Sequence, residues 1–439
     1  MKIVFIGAGS GFGAISFCDI MSFPELRDSE VVLIDINPDH LNPVAAYCRK
    51  VAEHYGAPAK ITTALDWRGG ALDGADFVMT SFAQGGAAYA GVPFYYDIEI
   101  PKEYGIYQNI ADTAGIGGVF RTMRTAPELL AIGHDMEERC PGATLLNYVN
   151  PMAMLTRSLT LACPKINVIG LCHNIQYGIR DIARWIGVSH KDLVYSAAGI
   201  NHLTWFLRLE HSDGRSAYPD LLKAGEREEV YKERTIQFEL LKTFGYFTTE
   251  SHHHLSEYQP YFAPRKEDRE SVGIEERHVT KDVVHVASRW NAESDMMRQL
   301  NGDIPLRLER THEYGMHIMH AKATDNVYRM NVNVLNNGLI DNLPDGYCVE
   351  VPCTADRVGL HPNKVGNLPI HLAALCRGVA DMQTLASDAV LERDLNKAYL
   401  ACAIDPLTAA CATPARIKEC FNKLVEAESD WLKGYWPRA

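Results

Sequence analysis

Two short stretches of the chain offer atoms suited to a transition metal. Cys172 and His173 follow the apolar run Val168-Ile-Gly-Leu171, and Asn201 and His202 follow Ala198-Gly-Ile200. A thiolate and an imidazole together favour a borderline cation over calcium or magnesium, which take oxygen ligands. Each pair sits just past a short buried-strand pattern, and two strand ends can meet in one cleft. Taken alone, the Cys-His step also fits a buried thiol beside a core histidine. A third stretch, Phe244-Gly-Tyr-Phe-Thr-Thr-Glu-Ser-His-His-His-Leu-Ser-Glu-Tyr-Gln-Pro260, gathers Glu250, His252, His253, His254, Glu257 and Tyr258. Three consecutive histidines do not face one point, so a solvated loop is one reading. The interleaved aromatics favour another, in which one of these groups is a base.

The elements that must position these residues begin at the first strand pattern, Ile3-Val-Phe-Ile6, which runs into Gly7-Ala-Gly-Ser10. Gly7 permits a tight turn and Gly9 a close approach of backbone to a pyrophosphate resting on the next helix. The third glycine of G-x-G-x-x-G is replaced by Phe12. A second strand, Val31-Val-Leu-Ile34, ends in Asp35, spaced as an acid that accepts from ribose hydroxyls and repels a 2′-phosphate. NAD is thus expected over NADP, held by Gly7, Gly9, Ser10, Phe12 and Asp35; the other reading is a nucleotide-free domain with Asp35 as a helix cap.

Further strand patterns at 61–63, 76–80, 144–147 and 167–170, with helical patterns at 121–138 and 151–162, predict a parallel sheet covered on both faces. Ligands of such sheets gather beyond the carboxyl ends of the strands. The stretches there are Ala83-Gln-Gly-Gly86, Asn147-Tyr-Val-Asn-Pro151 and Cys172-His-Asn174. The glycine-rich stretch 105–121 holds Asp112 and reads either as a substrate cradle or as a surface crossover. After Tyr195 the pattern changes. An alternating strand at 203–210, helical stretches at 226–242 and 265–308, a hairpin-like pair at 326–335 and 347–351, and helices at 368–384 and 414–427 predict α+β structure. The expected architecture is α/β: a Rossmann-like doubly wound sheet over residues 1–195, then an α+β catalytic domain over 196–439 packed across the strand ends.

At 439 residues the chain exceeds one ordinary core, which agrees with that division. Fifty-five acidic against 43 basic residues give a net charge of -12, and no basic run appears, which argues against nucleic acid or an anionic membrane as partner. No apolar stretch reaches a membrane span and no cleavable leader is seen, so a cytoplasmic location is expected. The 11 cysteines lack paired spacing and read as reduced thiols.

The order of these motifs resembles glycoside hydrolase family 4, the NAD- and manganese-dependent glycosidases. The resemblance is carried by Phe5-Ile-Gly-Ala-Gly-Ser10, Leu33-Ile-Asp-Ile36, Ile110-Ala-Asp-Thr113 with Gly117-Gly118, Leu146-Asn-Tyr-Val-Asn-Pro-Met-Ala-Met154, Gly170-Leu-Cys-His173 and Gly199-Ile-Asn-His202. It continues through Gly245-Tyr-Phe-Thr-Thr-Glu-Ser251, Gly338-Leu-Ile-Asp-Asn-Leu-Pro344, Val349-Glu-Val351 and Leu372-Ala-Ala-Leu375, and within the family it is strongest to melibiase-type α-galactosidases.

The resemblance implies a route that departs from two-carboxylate glycoside hydrolysis. The sugar C3 hydroxyl is oxidised, a base takes the acidified C2 proton, the aglycone leaves from C1, water adds, and C3 is reduced again. It implies Cys172 and His202 as Mn²⁺ ligands, Asn150 as a substrate-binding residue and Asp112 as an active-site acid; Asn201 is a further candidate for binding substrate. His173 stands at the leaving-group acid, where phosphosugar members are expected to carry Asp or Asn, so a non-phosphorylated glycoside or small oligosaccharide is expected. Tyr258 is the candidate base, with Glu250 and His254 as alternatives. A homo-oligomer, dimer or tetramer, is also implied. Other readings are the same chemistry on α-glucosides or α-glycosiduronic acids, an NAD-linked sugar dehydrogenase, and a non-catalytic NAD sensor.

Overall fold

A computed structural model of the chain describes residues 1–84, 91–281 and 294–435. Six strands form where the apolar runs lie: β1 (Lys2–Ile6), β2 (Glu30–Ile34), β3 (Lys60–Ala64), β4 (Phe77–Thr80), β5 (Thr144–Asn147) and β6 (Asn167–Gly170). All their pairings are parallel, in the order β3-β2-β1-β4-β5-β6. β4 and β5 are buried along their whole length, as continuous apolar strands covered on both faces must be, whereas the edge strand β3 is largely exposed. The strand order reverses between β1 and β4. That switch point opens a crevice above their carboxyl ends.

The second half, expected to pack over the strand ends, also extends the sheet. The outer edge of β6 would present unpaired backbone groups, and β9 (Tyr328–Leu335) covers it, with Gly170 opposite Asn333. A side chain at Gly170 would place its Cβ 2.9 Å from that of Asn333, so the junction requires glycine. β10 (Cys348–Ala355), β7 (Leu193–Ile200) and β8 (Leu203–His211) follow antiparallel, and β11 (Leu360–Pro362) pairs with β10, giving one 11-stranded sheet. The expected boundary after residue 195 falls inside β7, which pairs with β8 along its length with one register shift between Ser196 and Ala197. Helices also cross the division: Ile370–Glu392 packs on Gly115–Arg139 and Met152–Ala162 from the first half.

Three expected elements differ. The stretch 226–242 breaks at Arg234 into helices Glu228–Glu233 and Thr235–Phe244. The long helical segment at 265–308 reduces to Lys266–Ser271 and Asp295–Asn301, the latter closed by Gly302 with φ 88°; residues 282–293 of that segment lie outside the described residues. The histidine-rich stretch is a helix, His252–Tyr258, not a solvated loop, because the Ser251 side chain accepts from the His254 N–H as its N-cap and Leu255, Glu257 and Tyr258 turn into the core. Among the described residues no helix is long and apolar enough to cross a membrane.

Candidate active site

The glycine turn after β1 is tightly constrained. Gly7 has φ 87°, and a Cβ there would lie 2.2 Å from the Ser81 carbonyl oxygen. The Gly9 N–H donates to Asp35 Oδ2 at 2.8 Å, and Asn37 N–H donates to Asp35 Oδ1 at 2.9 Å, so the carboxylate is fixed beside the turn. Helix Phe12–Ser22 begins there with no side-chain cap, which leaves N–H groups for an anion. Phe12 stacks obliquely on Tyr148, 4.7 Å between ring centres. The packing role of the missing third glycine passes to Gly13, whose Cβ would lie 2.8 Å from the Ala8 carbonyl oxygen. Ser10 is exposed at the mouth, its Oγ 3.5 Å from Ser81 Oγ. Uncapped helix, glycine cradle and anchored acid together fit a dinucleotide. Of the stretch after β4, Gly85 and Gly86 lie outside the described residues.

Cys172 leaves the end of β6, and His202 sits in the tight Asn201-His202 turn between β7 and β8 with φ 63°. A third residue joins them: Glu250, at φ 89°, just before the His252–Tyr258 helix. One ligand atom of each lies within 4.8 Å of the others, and His202 Nε2 is 3.3 Å from Glu250 Oε2. On the far side of the ring, Thr113 Oγ1 lies 3.2 Å from His202 Nδ1. With Nδ1–H donating to that hydroxyl, the Nε2 lone pair faces Glu250. Burial lowers the His202 imidazole to about 4, so it is neutral, as a ligand must be. Burial alone would raise Glu250, but His202 and His254 hold its carboxyl down at about 2. Burial pushes the Cys172 thiol well above its usual range, aided by Glu350 and Glu250. Glu250 Oε2 is buried with no hydrogen-bond donor. A sulfur, a nitrogen and an oxygen converging beside an unpartnered carboxylate atom fit a borderline divalent cation.

Around this donor set runs a chain of polar contacts. His254 bridges two carboxylates, Nδ1 3.1 Å from Glu250 Oε1 and Nε2 3.3 Å from Asp112 Oδ1, and both raise it well above the ordinary histidine range despite burial. Asp112 is buried yet held low, mainly by His254. Asn150 Nδ2 donates to Asp112 Oδ2 at 3.0 Å. Tyr258 is fully buried; its hydroxyl donates to the Thr113 carbonyl at 3.4 Å, and its ring lies 6.0 Å from that of His202. Asn201 is also fully buried, with its amide against Cys172 and Glu350. His173 is half-exposed at the rim, its Nδ1 3.5 Å from Glu313 Oε1, and that carboxylate raises its affinity for a proton.

The fold therefore brings Cys172, His202, Asp112, Asn150, Asn201, Tyr258 and His173 into one region and adds Thr113, Glu313 and Glu350, to which the sequence reading gave no role. Glu250, weighed only as a base, joins the donor set. Thr113 orients His202, Glu313 faces His173, and Glu350 lies behind Cys172 with its carboxyl raised to about 8 by burial. One signal was available for Glu350: an acid within the otherwise apolar strand Tyr347-Cys-Val-Glu-Val351 must be buried. The 105–121 stretch, cradle or crossover by sequence, is drawn inward by Glu257. Its Oε1 accepts the Asn109 and Ile110 N–H groups at 2.6 Å each.

Comparison with known proteins gives consistent matches. The family model described as family 4 glycosyl hydrolase matches residues 2–188, and that of the family 4 glycosyl hydrolase C-terminal domain matches residues 197–408. The chain is 37% identical to an alpha-galactosidase of Bacillus subtilis (strain 168), covering 99% of each. It is 35% identical to an alpha-galactosidase of Rhizobium meliloti (strain 1021), covering 99% of this chain and 89% of that one. In fold it is similar to the 6-phospho-beta glucosidase of Thermotoga maritima solved with manganese, NAD+ and glucose-6-phosphate, with a TM-score of 0.78 at 20% identity over 98% and 99% of the two chains.

Proposed function

From the premise that this chain belongs to family 4 of the glycosyl hydrolases, we propose that it hydrolyses α-galactosides at the crevice above β1, β4, β5 and β6. The observation that carries this reading is the convergence of Cys172 Sγ, His202 Nε2 and a Glu250 carboxylate oxygen on one point, with Asn150 and Asp112 alongside. The sugar is taken from the two relatives named α-galactosidase.

When bound, NAD supplies a hydride acceptor for the sugar C3 position, and Mn²⁺ supplies a Lewis acid for the neighbouring oxygens. Gly7, Gly9, Ser10 and Phe12 would form the dinucleotide cradle, with Asp35 placed to accept from the ribose. Cys172, His202 and Glu250 would hold the cation. Asn201 and Glu350 support Cys172 from behind, and the Asn150 carbonyl accepts from a sugar hydroxyl. Two of the three candidate bases are otherwise engaged: Glu250 belongs to the donor set, and His254 is kept protonated by its two carboxylates. The resemblance implies Tyr258 as the group that removes the C2 proton; burial raises its phenol well above the usual range and the hydroxyl donates to the Thr113 carbonyl, so it acts as a base only after giving up its own proton. His173, its proton retained by Glu313, donates to the leaving-group oxygen at C1. A reduced thiol ligand suits a cytoplasmic enzyme, and assembly as a dimer or tetramer is read by light scattering.

The test is a panel of nitrophenyl glycosides assayed with NAD, Mn²⁺ and a thiol reductant. The α-galactoside should release nitrophenol with no net NADH. Faster cleavage of the α-glucoside or α-glycosiduronate would replace the sugar. NADH growing in step with an oxidised sugar would replace the reaction by that of a dehydrogenase.

A further inference from the structure

Far from the crevice, a second group of soft and borderline donors converges. His134 and Glu137 lie one turn apart near the end of helix Gly115–Arg139, and Cys163 caps the end of helix Met152–Ala162. Their ligand atoms all lie within 4.8 Å of one another. His134 Nδ1 is 3.7 Å from Cys163 Sγ and 3.6 Å from Glu137 Oε2. A tetrahedral zinc-like ion, with bonds of about 2.3 Å to sulfur and about 2.0 Å to nitrogen or oxygen, spaces such donors roughly 3.3–3.6 Å apart. Two of the three spacings already lie close to that geometry, and the third, between Cys163 and Glu137, is no more than 4.8 Å.

Two further features show that the arrangement is built. The other Glu137 oxygen, Oε1, accepts the Lys165 N–H at 2.9 Å, which turns Oε2 toward His134. Helix residue Gly133 makes room for the sulfur: a Cβ there would lie 2.6 Å from Cys163 Sγ. Glycine is a poor choice inside a helix, and here it lets the thiol reach the helix surface beside His134. Cys163 itself is buried, whereas His134 is exposed, so an ion has a path in past the imidazole.

We propose that His134, Glu137 and Cys163 form a second divalent-metal site, of the Zn²⁺ class, with water in the fourth position. Binding deprotonates the Cys163 thiol and releases its proton to solvent. The ion staples together the far ends of two helices whose opposite ends carry the residues flanking Thr113 and Asn150. It takes no part in bond cleavage.

Co²⁺ is the probe, because thiolate ligation gives a sulfur-to-cobalt charge-transfer band. The titration is made on full-length Cys172→Ser protein, which removes the thiolate of the crevice site. A band at one equivalent is expected, abolished by adding Cys163→Ser, with Co²⁺ affinity falling about tenfold or more on adding His134→Ala. No band in the Cys172→Ser protein, or a band that survives Cys163→Ser, overturns the proposal. Should Cys172→Ser fold poorly, thermal unfolding of otherwise unaltered protein decides. Zn²⁺ should then raise the melting temperature more in wild type than in His134→Ala, and an equal rise in both overturns it. Nitrophenyl α-galactoside turnover of His134→Ala should match wild type.

Discussion

Two places in the molecule resolve buried charge in opposite ways. In the helical layer, the Arg124 guanidinium donates to Asp97 Oδ1 at 2.9 Å and to Glu428 Oε2 at 3.0 Å, and its second amino group pairs with Asp97 Oδ2. Burial raises Glu428 well above its usual range. One fork thus answers two acids, one of which keeps its proton, and the donors and acceptors point at each other. At the crevice, by contrast, the Cys172 sulfur, the His202 nitrogen and a Glu250 oxygen point at a common centre rather than at one another's hydrogens. Buried charge that is answered within the fold is architecture; buried donor atoms left facing a shared point mark a place for something the chain does not itself contain.

The contrast is broken most directly at the donor set. Cys172→Ser or His202→Ala should lower kcat/KM by about 10⁴-fold, or ~5.5 kcal/mol, if these residues hold the Lewis acid. The melting temperature should change little, and a large drop in melting temperature with activity retained would reverse the assignment. Arg124→Met should do the opposite. It leaves two acids buried without their cation and costs about 3–5 kcal/mol in denaturant unfolding, while turnover per folded molecule is unchanged.

Tyr258→Phe sharpens the picture within the site. A lost base lowers kcat by about 10²-fold, and the slowing caused by deuterium at substrate C2 should grow as that step becomes rate-limiting. A variant with unaltered kcat would return the base role to another group.

The smallest effect is in pH. The Cys172 thiol is raised by burial and must lose its proton to bind a cation, whereas His202, at about 4, is already neutral. Mn²⁺ affinity should therefore rise about tenfold per pH unit through the neutral range, with one proton released per ion. His202 adds nothing to that slope above about pH 5, because its lowered value puts its titration below the window. Calorimetry in buffers of different ionisation enthalpy counts the proton.

The parallel half of the fold was legible because β1, β2, β4, β5 and β6 are continuous apolar runs of strand length, and such runs declare themselves without a partner. The antiparallel extension was not, since nothing local in Asn331-Val-Asn333 says that it meets Gly170. Cys172, His202, Asp112 and Asn150 were legible as residues but not as a cluster. Glu250 was legible only as one titratable group among six, since its place is set by the Ser251 cap, which hid behind three histidines. Gly13 shows the same limit in miniature: the sequence lacks the usual third glycine, and only the close approach of the helix to Ala8 in the turn reveals which neighbour took its task.

The unbroken run of hydrogen-bonded strands from β3 to β8 has a mechanical corollary. Many enzymes that shut around a ligand do so by swinging one lobe against another, but swinging these halves would break the Gly170–Asn333 pairing that joins β6 to β9 and slide helix Ile370–Glu392 off its neighbours. A sugar must therefore enter and leave through the movement of rim segments over a stiff floor, so changes in release rate are to be sought in those segments and not at any joint between halves.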